Sequence, residues 1–277
     1  MEGAPEQKPI GATLSLTLSP DHLPWLKPCT ELNKMSCCLR YLLPCAALLT
    51  SSTAGAAPGV FDITAYGAIG DGQTVNTVAI NAAVVASNAY YKSTGQPGTT
   101  LVPEGVFVSG QIELLSGVTL SVSSTGRLLG SFNVSDYPVN PAAWAFLYSN
   151  GATDITICGG GVVDGNYRRW IGGFDAVNDE YIYTPWPGCS GECRPRLAIL
   201  SNSQRVVVAN VTFLGSADWT FQLLNCSGVH IYNWTQHGDE RWPNNDGIDI
   251  DSSSNVLLED SNIDTADDGV CIKGSVA

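Results

Sequence analysis

Positive charge is scarce in this sequence. Lys and Arg number 13 among 277 residues, against 26 Asp and Glu, for a formal charge of −13. That balance excludes a nucleic-acid partner, which needs a basic stripe or patch. An anionic ligand would meet overall repulsion and would need cationic groups gathered locally. Charged residues of both signs amount to only 14%. A membrane span is missing too, because the apolar run from Tyr41 to Leu49 is too short to cross a bilayer. Leucine-rich-repeat spacing is absent. So is a phosphate-binding loop: Gly159-Gly160-Gly161-Val162-Val163-Asp164-Gly165 is dense in glycine, but no helix follows it. Glycine is plentiful at 29 residues, as expected of a turn-rich chain with one domain, or one domain and an N-terminal extension.

Residues 1–34 show no periodicity and read as an unstructured leader or a mis-assigned start. From Met35 the character changes. Arg40 supplies a positive n-region, residues 41–49 an apolar core, and Ala54-Gly55-Ala56 a small-residue cleavage pattern. Residues 35–56 therefore read as a signal peptide, with Met35 as the true start. The competing reading is a disordered leader with an apolar patch. In a secreted chain some of the triplets at Asn133, Asn210, Asn225 and Asn233 would carry glycans where they point outward. Asn225, before an apolar turn, is expected to be buried.

Of nine cysteines, Cys29, Cys37, Cys38 and Cys45 precede residue 46. The other five are odd in number, so at least one stays free or pairs outside the chain. Cys189 and Cys193, in a Pro/Gly-rich loop, suit a local disulfide, while zinc lacks a second ligand pair. Cys158, Cys226 and Cys271 fall in strand-like runs and read as small buried apolar residues.

Residues 60–277 read as one domain, which from Leu101 onward carries a repeat. Alternating runs recur at Val106-Phe107-Val108, residues 118–122, Ile155-Thr156-Ile157, Val206-Val207-Val208, Val229-His230-Ile231 and Val256-Leu257-Leu258, the last three at nearly even steps. Each follows a polar or glycine turn. Periods of roughly 20–30 residues argue for an all-β solenoid, whereas a β-sandwich would space its strands more closely. Ahead of the repeat, Gly70-Asp71-Gly72 reads as a turn. Thr77 to Lys92 reads as a helix with Ile80, Val84 and Tyr91 at 4- and 7-residue steps. Such a helix would cover the apolar core of the first coil. Residues 166–195 interrupt the repeat with Trp170, Phe174, Tyr181, Tyr183 and Trp186. These read as aromatics packing a long loop on the solenoid, in preference to a platform for sugar rings.

The stretch Asn244 to Lys273 places Asp246 in one short segment and Asp267-Asp268 in the next, about one coil's length further on. Stacked strands lie roughly 4.8 Å apart, so the three carboxylates can share one site. Like charges resist joint ionisation, and the least solvated member is expected to have a raised pKa and stay protonated. That suits cleavage of a glycosidic bond, which needs an acid and, in one class, a base that activates water. Composition by itself favours a plainer reading, an Asp-rich turn or a calcium loop.

The motifs reverse that preference. Asn244-Asn245-Asp246-Gly247-Ile248-Asp249 resembles the Asn-Thr-Asp-Gly-Ile-Asp motif of polygalacturonases, glycoside hydrolase family 28. Ala266-Asp267-Asp268, followed by Val270-Cys271-Ile272-Lys273, resembles that family's Gly-Asp-Asp segment, in its order and at about its spacing. Residues 61–92 resemble the N-terminal cap of pectin-degrading β-helix proteins. The resemblance implies a right-handed parallel β-helix with an N-terminal capping helix. It also implies a secreted monomeric enzyme, extracellular or in the cell wall, that cleaves α-1,4-galacturonosyl linkages of pectin without cofactor or metal. Carried over, Asp267 is the general acid, and Asp246 and Asp268 hold the water for inversion. An acid–base separation of about 6.5–9.5 Å is then expected. Asn244, Lys273 and Trp242 are the implied substrate-binding residues, Trp242 as a cleft wall.

Two residues depart from the pattern: Asn245 stands for Thr, and Ala266 for a Gly that would accept a positive φ. The family's Gly-His-Gly and Arg-Ile-Lys segments are not reached before Ala277, so the domain is expected to be incomplete at its C-terminus. His230 and His237 precede the motifs and match neither segment. Lys273 and Arg241 are the basic residues near the aspartates in sequence. Two other outcomes are consistent with the residues: a calcium-dependent β-helix lyase, and an inactive homologue that binds wall polysaccharide.

Overall fold

The computed structural model describes residues 57–138, 144–184 and 194–275. The leader, the signal-peptide segment, Trp186, Cys189 and Cys193 lie outside the described residues. Strands dominate, and they stack in three parallel columns. The first column begins with Val60–Asp62, Gly98–Val102, Val118–Val122 and Thr153–Cys158. The second begins with Asp71–Val75, Gly105–Ser109, Gly126–Gly130 and Val162–Asp164. The third runs Ile112–Glu113, Ala145–Asn150, Arg196–Ser201, Phe221–Leu224, Ile248–Asp251 and Val270–Lys273. The chain is a right-handed parallel β-helix, the hand that strand twist imposes on parallel crossovers.

Two long strands, Gln204–Leu214 and Ser227–His237, each serve two columns. They turn the corner at Asn210 (φ 50°) and Asn233 (φ 48°), and Asp260 (φ 46°) makes the same turn in the next coil. Asn and Asp tolerate the left-handed region that most side chains avoid. The side chains stack as well, with Asn233 Nδ2 donating to Asn210 Oδ1. A second ladder marks the opposite corner: Asn225 Nδ2 donates to Asn202 Oδ1 at 2.7 Å, and Asn202 Nδ2 to Asn150 Oδ1 at 2.8 Å. Asn225 is therefore exposed, not buried as expected. It is a corner residue whose neighbour Cys226 points inward.

The core is a set of aligned apolar rows. Val206 pairs in register with Ile155 on one side and Val229 on the other, and Val229 with Val256. Each step of the sequence repeat from Val206 to Val256 thus makes one full coil. In the third column Leu147, Ala198, Phe221, Ile248 and Val270 form one inward row. Phe213, Phe221 and Trp234 meet edge to face, with centroids 5.7–6.2 Å apart. Burying one such aromatic stabilises the fold by about 1.5–3 kcal/mol.

The helix Thr77–Thr94 caps the first coil and runs slightly past the Lys92 that the pattern predicted. It buries Ile80, Ala83 and Val84 over the core and ends at Gly95 in the left-handed region. Polar ties fix it to the coil: Asn88 Nδ2 donates to Ser116 O at 2.7 Å, and Asn81 Nδ2 to Gln111 O at 2.9 Å. Strand and helix approach so closely at Gly98 that a Cβ there would lie 2.3 Å from Ser87 O.

Past the second column the chain leaves the repeat at Tyr167–Trp170 and forms the hairpin Ile171–Asp175 with Glu180–Tyr183. Tyr167 and Trp170 are buried, Tyr181 and Tyr183 pack on them, and Phe174 remains exposed. Packing therefore accounts for most of these aromatics. The cysteines divide. Cys226 is buried as expected, its Sγ donating to Leu200 O at 3.1 Å, and burial pushes its thiol up to about 11. Cys158 is disulfide-bonded, so it is not the simple buried thiol its strand position suggested. Cys271 pairs in register with Asp249 on the outer face and is partly exposed, because alternation along that strand turns Val270 inward instead.

Candidate active site

Three loops meet at the corner between the second and third columns: 215–220, 238–247 and 265–269. Backbone hydrogen bonds stack them as they stack the strands. Thr220 N donates to Asp246 O at 2.8 Å, and Gly247 N to Asp268 O at 2.9 Å. Asp246 and Asp268 are thus neighbours on successive coils. Asp267 lies beside them, and one oxygen from each of the three carboxylates falls within 4.8 Å of the others. The tertiary structure brings together the three aspartates that the sequence singled out.

Asn245, the residue standing where the motif has Thr, sets this spacing. It is fully buried, and its Nδ2 donates to Asp239 O at 3.0 Å. Its Oδ1 accepts from Thr265 Oγ1 at 2.8 Å and from Ala266 N at 2.9 Å. One side chain therefore joins the coil of Asp246 to the backbone just before Asp267. Ala266 is not among the positive-φ residues, so its methyl group costs nothing there. At Gly247 a Cβ would lie 2.4 Å from Gly269 O, and this crossing of two coils admits no side chain.

The aspartates differ in environment. Asp246 is 4% exposed, and its Oδ1 has no hydrogen-bond partner among the described residues. Burial pushes its pKa up to about 6, with the charges of Asp249 and Asp267 adding to the rise and Lys273 opposing it. Asp267 and Asp268 are exposed on the last described coil. The least solvated carboxyl is therefore Asp246, whereas the motif resemblance gives the acid role to Asp267.

Cations come to the site from further away than the sequence indicated. Arg241 turns aside, over the ring of Tyr181 at 5.1 Å and toward Asp239 at 3.4 Å. Lys273 Nζ lies 2.6 Å from buried Asp249, 3.8 Å from Asp246 and 3.3 Å from the ring centre of Trp219. Asp249 is held above its ordinary pKa by burial, with Lys273 opposing. Arg194 and Arg196, two coils upstream of Asp246, were missed. Arg194 is buried, stacks over Tyr183 at 3.9 Å, and donates to Pro243 O at 3.0 Å and to Asn244 Oδ1 at 2.8 Å. Arg196 stacks on Trp219 at 4.1 Å, bonds Gln222 through Nη1, and has Nε 3.7 Å from Asp218. Their signal was the Arg-Pro-Arg triplet at the start of a third-column strand, which is legible only once the coils are stacked.

Two binding expectations change. Trp242 is 1% exposed, packed against Tyr167 and Tyr181, with Nε1 donating to Ala217 O at 3.1 Å. It anchors the hairpin and forms no cleft wall, since its ring is almost wholly buried. Asn244 is half-buried in the left-handed region, and its side-chain oxygen is taken by Arg194.

Residues 93–276 match the family described as Glycosyl hydrolases family 28. The chain belongs to that family. Relatives include a probable polygalacturonase of Vitis vinifera, 30% identical over 223 residues, 75% of this chain and 43% of the relative. An exo-poly-alpha-D-galacturonosidase of Dickeya chrysanthemi is 28% identical over 265 residues, 79% of this chain and 43% of the relative. The family 28 chain thus spans less than half the length of these relatives. Among solved structures, a hyperthermoactive exopolygalacturonase from Thermotoga maritima superposes with a TM-score of 0.65 at 25% identity, over 79% of this chain and 55% of that one. A polygalacturonase from Erwinia carotovora shares the fold, with a TM-score of 0.59 over 82% of this chain and 61% of that one. No described helix is long and apolar enough to cross a membrane.

Proposed function

We propose that this chain is the part of a secreted polygalacturonase-like hydrolase that carries its carboxylates, and that it cleaves α-1,4-galacturonosyl bonds of pectin. The observation that carries the reading is the meeting of Asp246, Asp267 and Asp268 at one corner of a family 28 β-helix. Asp267 donates its proton to the glycosidic oxygen as the bond to the anomeric carbon breaks. A water held by Asp246 and Asp268 attacks that carbon and gives its proton to a carboxylate. In this scheme the base must be ionised, so Asp246 works above about pH 6. The inverting course rests on the motif resemblance.

The test is release of reducing ends from polygalacturonate by the full-length protein. Asp267→Asn should remove nearly all turnover, and Asp246→Asn should remove it together with the acidic limb of the pH profile. Loss of the basic limb in Asp246→Asn would exchange the two roles. Undiminished hydrolysis by Asp267→Asn would end the scheme. A first product with retained anomeric configuration, read by NMR, would exclude inversion.

The close spacing also favours a second reading. Three carboxylate oxygens within 4.8 Å suit a hard divalent cation, and calcium would serve a lyase. Activity abolished by a chelator, with an unsaturated product absorbing in the ultraviolet, would select it.

A further inference from the structure

On the outer face beside the aspartates, Trp219 lies between two cations, with Arg196 at 4.1 Å and Lys273 at 3.3 Å from its ring centre. Trp219 occupies the rung before Asp246, since Leu197 N donates to Trp219 O and Thr220 N to Asp246 O. Lys273 in turn lies 3.8 Å from Asp246. The Arg196 guanidinium is thus joined to the Asp246 carboxylate by an unbroken run of contacts through one indole ring and one ammonium group. We infer that Arg196 is a specificity-determining residue, binding the carboxylate of a uronate unit next along the groove from the one at Asp246.

Charge and geometry support this. The chain carries −13, so an acidic sugar is drawn to this face only by cations placed on it. Lys273 is already 2.6 Å from Asp249. Arg196 is neutralised far less: Nη1 bonds the uncharged amide of Gln222, and Nε is 3.7 Å from Asp218. Its side chain is 27% exposed. Stacking on Trp219 fixes the plane of the guanidinium, and a fixed fork binds a carboxylate through two parallel bonds. Asp218 and Gln222, both buried, hold that fork in place.

The inference rests on the pectinase reading, but its test does not need cleavage. Trigalacturonate and its fully methyl-esterified form would be titrated calorimetrically into the full chain, with cleavage followed separately. The wild type should bind the acid more tightly than the ester. Arg196→Gln, which can still bond Gln222, should weaken acid binding about tenfold to a hundredfold and abolish the preference. Arg196→Lys should keep the preference at reduced affinity. Equal binding of acid by wild type and Arg196→Gln would overturn the inference. So would a wild type that does not distinguish acid from ester, a result that holds even if Arg196→Gln unfolds. Selective binding without cleavage would end the hydrolase reading and leave this one standing.

Discussion

The side-chain oxygen of Asn245 holds the backbone nitrogen of Ala266 at 2.9 Å, across the gap between two coils. The same oxygen accepts from Thr265 Oγ1. This buried amide makes the position of Asp267 depend on that of Asp246. Removing it in Asn245→Ala leaves Ala266 N and Asp239 O without their partner. A loss of about 1–3 kcal/mol in denaturant unfolding is expected. Asn245→Asp keeps the acceptor but sets a carboxylate against Asp239 O, and should cost at least as much. Unchanged stability in both variants would show that the bridge does not hold the coils.

Asp246 gives stability a pH dependence. Its folded pKa is raised to about 6 from an ordinary value of 3.8. The folded state therefore holds this proton more tightly than the unfolded chain does. That advantage is complete below about pH 4 and is lost as pH rises through 6. Asp246→Asn has no such loss. Relative to the wild type it should gain up to about 3 kcal/mol in going from pH 3 to pH 7. Parallel stability curves for the two proteins would contradict a buried, raised carboxyl at 246.

Trp242 makes a structural prediction in place of a binding one. Its burial against Tyr167 and Tyr181 means that Trp242→Ala opens a cavity under the hairpin. About 3–5 kcal/mol of destabilisation should follow. Trp242→Phe, which keeps much of the volume and loses the bond to Ala217 O, should cost less. An ordinary stability with weakened sugar binding in Trp242→Ala would restore the cleft wall.

Gly247 should tolerate no side chain. In Gly247→Ala the methyl group would meet Gly269 O at 2.4 Å and force the two carboxylate-bearing loops apart. The variant should lose stability and disturb the aspartates together. A fully stable Gly247→Ala would mean that the coils separate here without penalty.

Much of this protein was written in local pattern. Even steps between apolar runs, alternation within them and polar turns before them defined the solenoid, because a stacked coil repeats its strand and its corner at nearly fixed spacing. The helix ahead of the repeat was legible from its apolar steps of 4 and 7 residues, and the three aspartates from their one-coil spacing together with the motif resemblance.

What the sequence could not decide was which side chains from distant coils cross the outer face. Arg194 reaches Asn244 over two coils, Arg196 stacks on Trp219, and Lys273 turns back toward the same ring. Trp242 looked available beside the motif, and tertiary packing enclosed it. Register determines which rungs are neighbours, but the direction of a long side chain depends on the charges and volumes that all the neighbouring rungs bring together. Those are known only when the coils are stacked.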